Sequence, residues 1–175
     1  MVDKELIERC VKGKRSAQKT FYKAFAQPMF AHCYRYLRNK QDAEEILSEG
    51  FIKVFQNLSV LEYRNAKSTE AWVKRIMVNE CLMFLRKNQK VLEDDIEHHH
   101  LIAESTIEME INAQDVYTFI LQLPVGYRTV FNLYVIEGYS HKEIAKKLGI
   151  GESTSRSQLV KARNMLKKNM AKWNQ

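Results

Sequence analysis

Arg156, Val160, Arg163 and Lys167 recur at helical spacing near the C-terminus, and Ser157, Lys161, Asn164 and Lys168 repeat the pattern one position on. On a helix these become two adjacent outward rows. A third row, Ser155, Leu159, Ala162 and Leu166, is small or apolar and predicts the inward side. No acid follows Glu152, so the outward face is positive throughout. The chemistry such a face offers is recognition: guanidinium groups read base edges, and ammonium groups neutralise phosphates. The residues just upstream, Tyr139 to Ile150, contain Ser140 and Glu143 at capping-box spacing, then Ile144, Ala145 and Leu148, and a glycine at 149 where a left-handed residue ends a helix. A capped short helix, a tight turn and a basic helix with an apolar seam have the construction of a helix-turn-helix entering a DNA major groove. A solvated basic helix closing an all-α domain is the plainer alternative.

A second set lies in the N-terminal half. Glu45, Ser48, Glu49 and Ile52 share one helix face at i, i+3, i+4 and i+7, an acidic surface with an apolar neighbour inside a basic lobe. It fits either solubility or docking to a basic partner. Around Trp72, the positions Lys74, Arg75, Asn79, Arg86 and Lys87 place polar and basic groups beside an aromatic ring, which suits single-stranded nucleic acid. Adjacent histidines at His98, His99 and His100 do not converge on one ion without distant partners, so no metal site is expected. Cys10, Cys33 and Cys81 are odd in number and widely spaced, each in an apolar helical context, which predicts buried free thiols in a reducing cytosol. No Ser/His/Asp set, P-loop or zinc spacing is present. Neither catalysis nor a cofactor is expected.

Scarce proline (2) and glycine (6), with long stretches repeating every three to four residues, predict an all-α chain of two small domains. Helices are expected over residues 3–12 with Leu6, Ile7, Cys10 and Val11 inward, and over about 15–38 with Phe21, Tyr22, Phe25, Met29, Phe30, Cys33, Tyr34 and Leu37 along one side. That spacing favours a core over a base-stacking platform, and Pro28 should kink or split the helix. Asn39 caps a third helix burying Ile46, Phe51, Val54, Phe55 and Leu58. After a loop at 59–67, Ser68 or Thr69 should cap a fourth, running to about Asn88. Asn112 should cap a fifth, ending before Pro124, and a sixth should run from Val125 to Glu137. The first 92 residues carry 18 basic and 10 acidic groups, and the stretch from Tyr139 onward carries nine and two. Between Glu93 and Asp115 there are eight acids and no Lys or Arg. Domain bounds of 1–89 and 112–175 result, with an acidic linker over 90–111 that spans roughly 70 Å when extended. Such a linker could also fold back and weakly mask the basic lobes. No run of apolar residues is long enough to predict membrane insertion or a secretory signal.

In this order, DAEEILSEGFIKVF, W-x-x-R-I-x-x-N, the acidic linker, LPVGYRTVFNLYVIEGYSHKEIAKKLGI and S-T-S-R-S-Q-L-x-K-A-R resemble the small two-domain RNA polymerase sigma factors, the extracytoplasmic-function group of the sigma-70 superfamily. The resemblance spans nearly the whole chain. It implies a cytoplasmic protein that binds polymerase core at clamp and flap and directs promoter recognition, melting and initiation. It leaves room for an anti-sigma factor. By position, it implies core contacts at Asp42, Glu45, Ser48, Glu49 and Ile52, where many members have Gln in place of Ser48. It implies contacts to the melted promoter element at Tyr63, Arg64, Asn65, Trp72, Lys74, Arg75 and Asn79, with the loop 63–67 holding a flipped-out base. The upstream element falls to Thr154, Arg156, Ser157, Val160, Lys161 and Arg163, the last on the phosphate side. Members often have Val where this chain has Ser155 and Arg where it has Gln158, a residue that could read adenine or stay solvated. Two readings from other classes stay open: a stand-alone helix-turn-helix regulator binding palindromic DNA as a dimer, and a metal-dependent nucleic-acid enzyme using the histidine run.

Overall fold

A computed structural model describes residues 2–88 and 113–173. These residues are helical with no strand among them, as the repeat spacing predicts. The expected linker and its histidines, with the Asn112 cap, lie outside the described residues. Packing divides the chain into two units, Met1–Phe84 and Leu85–Gln175.

In the first unit, α1 (Lys4–Val11) opens at Asp3, whose carboxylate accepts from the Leu6 amide at 2.8 Å. Ile7 and Cys10 are buried, but Val11 is 48% exposed, so the inward stripe is narrower than expected. Next comes α2 (Arg15–Leu37), which runs through Pro28 as one helix. Of the expected kink or split, the split does not occur. Pro28 itself is exposed, while Phe25 and Met29 on either side are buried in the core and hold the two halves in one element. Tyr22 is 40% exposed, yet its ring lies 4.6 Å from that of Phe51. A single left-handed residue, Arg38 (φ 60°), turns the chain into α3 (Lys40–Asn57). Asn39 caps α3 as predicted, its side-chain oxygen accepting from the amides of Gln41 and Asp42 at 2.8 and 3.2 Å.

A short 3-10 turn (Leu58–Val60) and an extended stretch lead to α4 (Ala66–Lys87). Its cap is Asn65 rather than Ser68 or Thr69. Asn65 accepts from the Ser68 amide at 2.8 Å, and the Ser68 hydroxyl accepts from the Asn65 amide at 3.1 Å. This is the reciprocal capping box, with asparagine in the outer role and serine three residues inside the helix. Where α3 meets α4, Gly50 is buried, and a Cβ added there would lie 2.3 Å from the Met77 sulfur. The Met77 side chain thus occupies the space that a Cβ at position 50 would need. A short ion pair, Lys53 to Glu80 at 2.6 Å, ties the same two helices, with Glu80 almost wholly buried. All three cysteines are free and buried. The Cys81 thiol is pushed well above its usual value by a hydrogen bond with Cys33 and by burial, so it is inert as a nucleophile.

The second unit begins with α5 (Ala113–Gln122), followed at Pro124 by α6 (Val125–Phe131). Arg128 is buried and donates to the carbonyls of Leu123 (2.7 Å) and Leu121 (3.4 Å), closing the end of α5 with a cation where the helix dipole favours one. The chain then takes a π turn over Asn132–Ile136, ending at Gly138 with φ +77°. This turn was not expected, and it leaves Tyr134 at the surface rather than in the core. Helices α7 (His141–Leu148) and α8 (Glu152–Trp173) complete the unit. Its core gathers Phe119, Ile120 and Leu123 from α5 against Ala162 and Leu166 from α8.

Candidate nucleic-acid interface

The helix-turn-helix is built as its residues dictate. The Ser140 hydroxyl accepts from the Glu143 amide at 3.3 Å, and the Glu143 carboxylate accepts from the Ser140 amide at 2.8 Å. Gly149, at φ +69°, ends α7. On α8 the inward row Ser155, Leu159, Ala162 and Leu166 is buried without exception, and the eight residues of the two outward rows are exposed. Thr154 is exposed beside them. Val160 stands 56% exposed in the middle of the cationic face. A bare valine is costly in water but suits contact with a thymine methyl group.

Three arrangements on this face were not legible in the spacing. Arg156 is ion-paired with Glu152, one turn back. The cations of Lys161 and Arg163 each sit 5.9 Å from a ring centroid, Tyr127 and Tyr134 respectively. Gln158 is half-buried against Gly126, where an added Cβ would lie 3.4 Å from its amide nitrogen, so it supports the helix packing rather than standing free in solvent. Ser155 is fully buried and lies 2.9 Å from His141 Nδ1.

In the first unit, Glu45, Ser48, Glu49 and Ile52 are exposed together on α3, and Asp42 is half-buried at its start. Among the described residues no ion pair involves Glu45 or Glu49. Ser48 turns its hydroxyl onto the Glu44 carbonyl at 2.9 Å, leaving the carboxylates and Ile52 (58% exposed) as the prominent groups. Towards α4, Tyr63 is half-buried and lines an open groove of about 390 Å³ with Ile7, Val11, Leu58 and Leu61. The contribution of α1 to this groove was missed, because nothing in the spacing relates residues 4–12 to the loop at 58–63. Arg64 is exposed and 3.8 Å from Glu62. Asn65 spends its side chain on the α4 cap. Arg75 and Asn79 are exposed, whereas Trp72 and Lys74 are half-buried.

Residues 21–91 match the family description "Sigma-70 region 2", and residues 113–166 match "Sigma-70, region 4", together about seven-tenths of the chain. The chain belongs to the sigma-70 family. As a sigma factor it binds RNA polymerase core and promoter DNA and directs promoter recognition and transcription initiation. Its relatives carry the extracytoplasmic-function name expected from the sequence. It is 26% identical to the ECF RNA polymerase sigma-E factor of Haemophilus influenzae, over 95% of this chain and 94% of that one. It is equally similar to the ECF sigma factor SigW of Bacillus subtilis, 26% identical over 97% of each. Among solved structures it resembles the sigma factor RpoE of Bartonella quintana, in complex with the anti-sigma factor NepR (TM-score 0.51, 20% identity, 87% of this chain and 96% of that one). It also resembles CnrH, in complex with the cytosolic domain of CnrY (TM-score 0.51, 17% identity, 97% of each). The sigma factors are not a class of enzymes, and no described helix is long and apolar enough to cross a membrane. The stand-alone regulator is not favoured, since residues 21–91 match sigma-70 region 2.

Proposed function

We propose that this sigma factor divides its work among three surfaces. The α3 face of Glu45, Ser48, Glu49 and Ile52, with Asp42 at its start, docks on the polymerase clamp. The loop from Tyr63 and the exposed side of α4, through Arg75 and Asn79, holds the melted promoter strand. The outward face of α8, from Thr154 to Arg163, reads the upstream element as duplex. Residues 1–89 and 112–175 act as the two working domains and 90–111 as the spacer between them. The polymerase sets this action in the cytoplasm, where an anti-sigma factor would be a natural partner, as NepR is for the RpoE of Bartonella quintana.

One observation carries the reading most directly. A helix whose inward row is wholly buried turns eight outward positions to solvent, five of them Lys or Arg and none of them acidic. That charge exceeds what its single ion pair and two ring contacts balance, and a duplex groove is the partner it fits. Transcription from a library of promoter fragments with core polymerase tests the whole reading. Adding the protein should start transcripts from a narrow set of fragments sharing an upstream element, and Lys161→Ala should silence that set without freeing sigma from core. Transcripts indifferent to Lys161→Ala, or started without sequence preference, would overturn the duplex assignment.

A further inference from the structure

We propose that His141 is a positioning residue for promoter reading, coupling the seating of α8 on duplex DNA to uptake of a proton by its imidazole ring. This rests on the reading of α8 as the duplex-contacting helix. His141 is the first residue of α7, and its Nδ1 lies 2.9 Å from the Ser155 hydroxyl on α8. Its ring is stacked on Tyr134, with centroids 4.4 Å apart and planes 23° from parallel. Tyr134 in turn lies beneath the guanidinium of Arg163, 5.9 Å away. One imidazole therefore touches both helices of the motif and the ring that supports an outward cation.

The polar pair is a deliberate feature of the seam. Ser155 has no exposure, and the other inward positions of α8 are Leu159, Ala162 and Leu166. A buried hydroxyl without a partner is penalised, so Ser155 and His141 require each other. The pair fixes the rotation of α8 about its axis at the turn from which Arg156 and Ser157 project.

The charges around the ring supply the coupling. From α8 it faces Glu152, Arg156 and Arg163; from the π turn it meets Tyr134; on its own helix, Glu143 is engaged by Ser140. Burial, Arg156 and Arg163 hold the imidazole below its usual pKa, with Glu152 opposing them, so the free protein favours the neutral ring. A phosphate docking on Arg163 cancels its guanidinium field at the ring, and the exchange of Arg156 from Glu152 to a base edge leaves that carboxylate to favour the protonated ring. Protonation then becomes easier in the complex than in the free protein. A group whose pKa rises on binding makes binding tighter as pH falls through the interval between its two values.

Reconstituted holoenzyme is titrated with a duplex upstream element, recovered by selection from random DNA, between about pH 8 and about pH 5.5, where an unperturbed imidazole changes charge. Wild type should gain affinity on acidification by about threefold to tenfold, the ceiling for one proton over one pH unit. His141→Asn keeps a polar group near the Nδ1 position for Ser155 and should hold its affinity at neutral pH while losing the gain. His141→Phe keeps the stacking but strands Ser155, and should bind more weakly at every pH with no gain. A pH profile unchanged in His141→Asn would overturn the proposal, whether or not His141→Phe folds. Lys161→Ala separates the two levels. If it leaves duplex affinity untouched, the reading of the face fails and this inference falls with it; if it weakens binding while His141→Asn keeps the wild-type profile, only the proton coupling is lost.

Discussion

At the scale of single residues, Arg156 bears the sharpest test. It is exposed but paired with Glu152, and that contact must be exchanged if the guanidinium is to reach a base edge. Exposed pairs of this kind hold by only about 0.2–1 kcal/mol, less than the roughly 1–3 kcal/mol of discrimination a good base contact provides, so the exchange is favourable on the right sequence. Arg156→Ala should therefore cost about 1–3 kcal/mol on the preferred duplex and much less on random DNA. Equal losses on both in a binding titration would make it a phosphate contact. His141 gives a second prediction, for folding rather than binding. Its pKa is depressed in the folded state, so the unfolded chain takes up the proton first. The stability it contributes is full above the unfolded value of about 6.5 and is lost as pH falls through the folded value. Thermal melts should show wild type losing more stability than His141→Asn on acidification from about pH 7.5 to about pH 5.5. The same loss in both proteins would assign the effect to other groups.

At the scale of elements, the α3 face combines two demands. Its inner side needs Gly50 bare, so that Met77 can lie against it, while its outer side carries Glu45 and Glu49 with no cation to balance them. Only the first turn of a helix gains from acids, and Glu49 lies beyond it. Local structure therefore gives Glu49 no task, whereas the proposed docking on polymerase gives it one. Glu49→Lys should abolish core binding in a pull-down with purified polymerase while leaving helicity and melting temperature nearly unchanged. Undiminished assembly would remove the face from the docking surface. How far such elements were legible in the sequence depended on whether a signal was local. The Asn39 cap, the Ser140–Glu143 box and the inward row of α8 each arise from residues a turn apart, and each stands as predicted. The helix through Pro28 did not split because burial of Phe25 and Met29, a tertiary effect, outweighs the lost hydrogen bond. The cap of α4 was misplaced by three residues because Asn65 and Ser68 are both capping residues, and only the geometry says which lies outside the helix.

At the scale of the whole molecule, charge and family were legible while the partners of individual side chains were not. The net charge of +7 and its concentration beyond Tyr139 pointed to a polyanion, and the family match agrees. The engagement of Arg163 with Tyr134, of Gln158 with Gly126 and of Tyr63 with the α1 groove came from contacts between residues far apart in sequence, for which a single chain offers no spacing rule. The proposed linker, and with it the masking of basic lobes by acids, lies outside the described residues. Exposure of the outward cations does lead to a bulk prediction. Each phosphate contact releases a condensed counterion and steepens the dependence of log affinity on log salt by about 0.9. Lys167, exposed near the far end of the face, should contribute one such contact. Lys167→Ala should flatten the salt slope by about one and weaken selected and random duplexes alike. An unchanged slope would place Lys167 off the DNA.

The π turn between α6 and α7 acts as a spacer in the thread of a screw. A π segment is an α-helix holding one residue more than its turns require, and each residue of an α-helix advances the chain by about 100°. The surplus at Asn132–Ile136 closes that helix and so sets the direction in which the chain leaves it through Gly138. Upstream stand the buried Arg128 and Val130; downstream stand Tyr139 beneath Lys147 and the capped start of α7. A substitution on the outward face of α8 exchanges one contact for another and leaves its neighbours in place. Loss of one residue from the π turn would relax it to a plain helix, comfortable in itself, and would redirect the chain on its way to α7, shifting the contacts beyond it together. In this fold the outward letters of α8 can change one at a time, but the count of residues before it cannot.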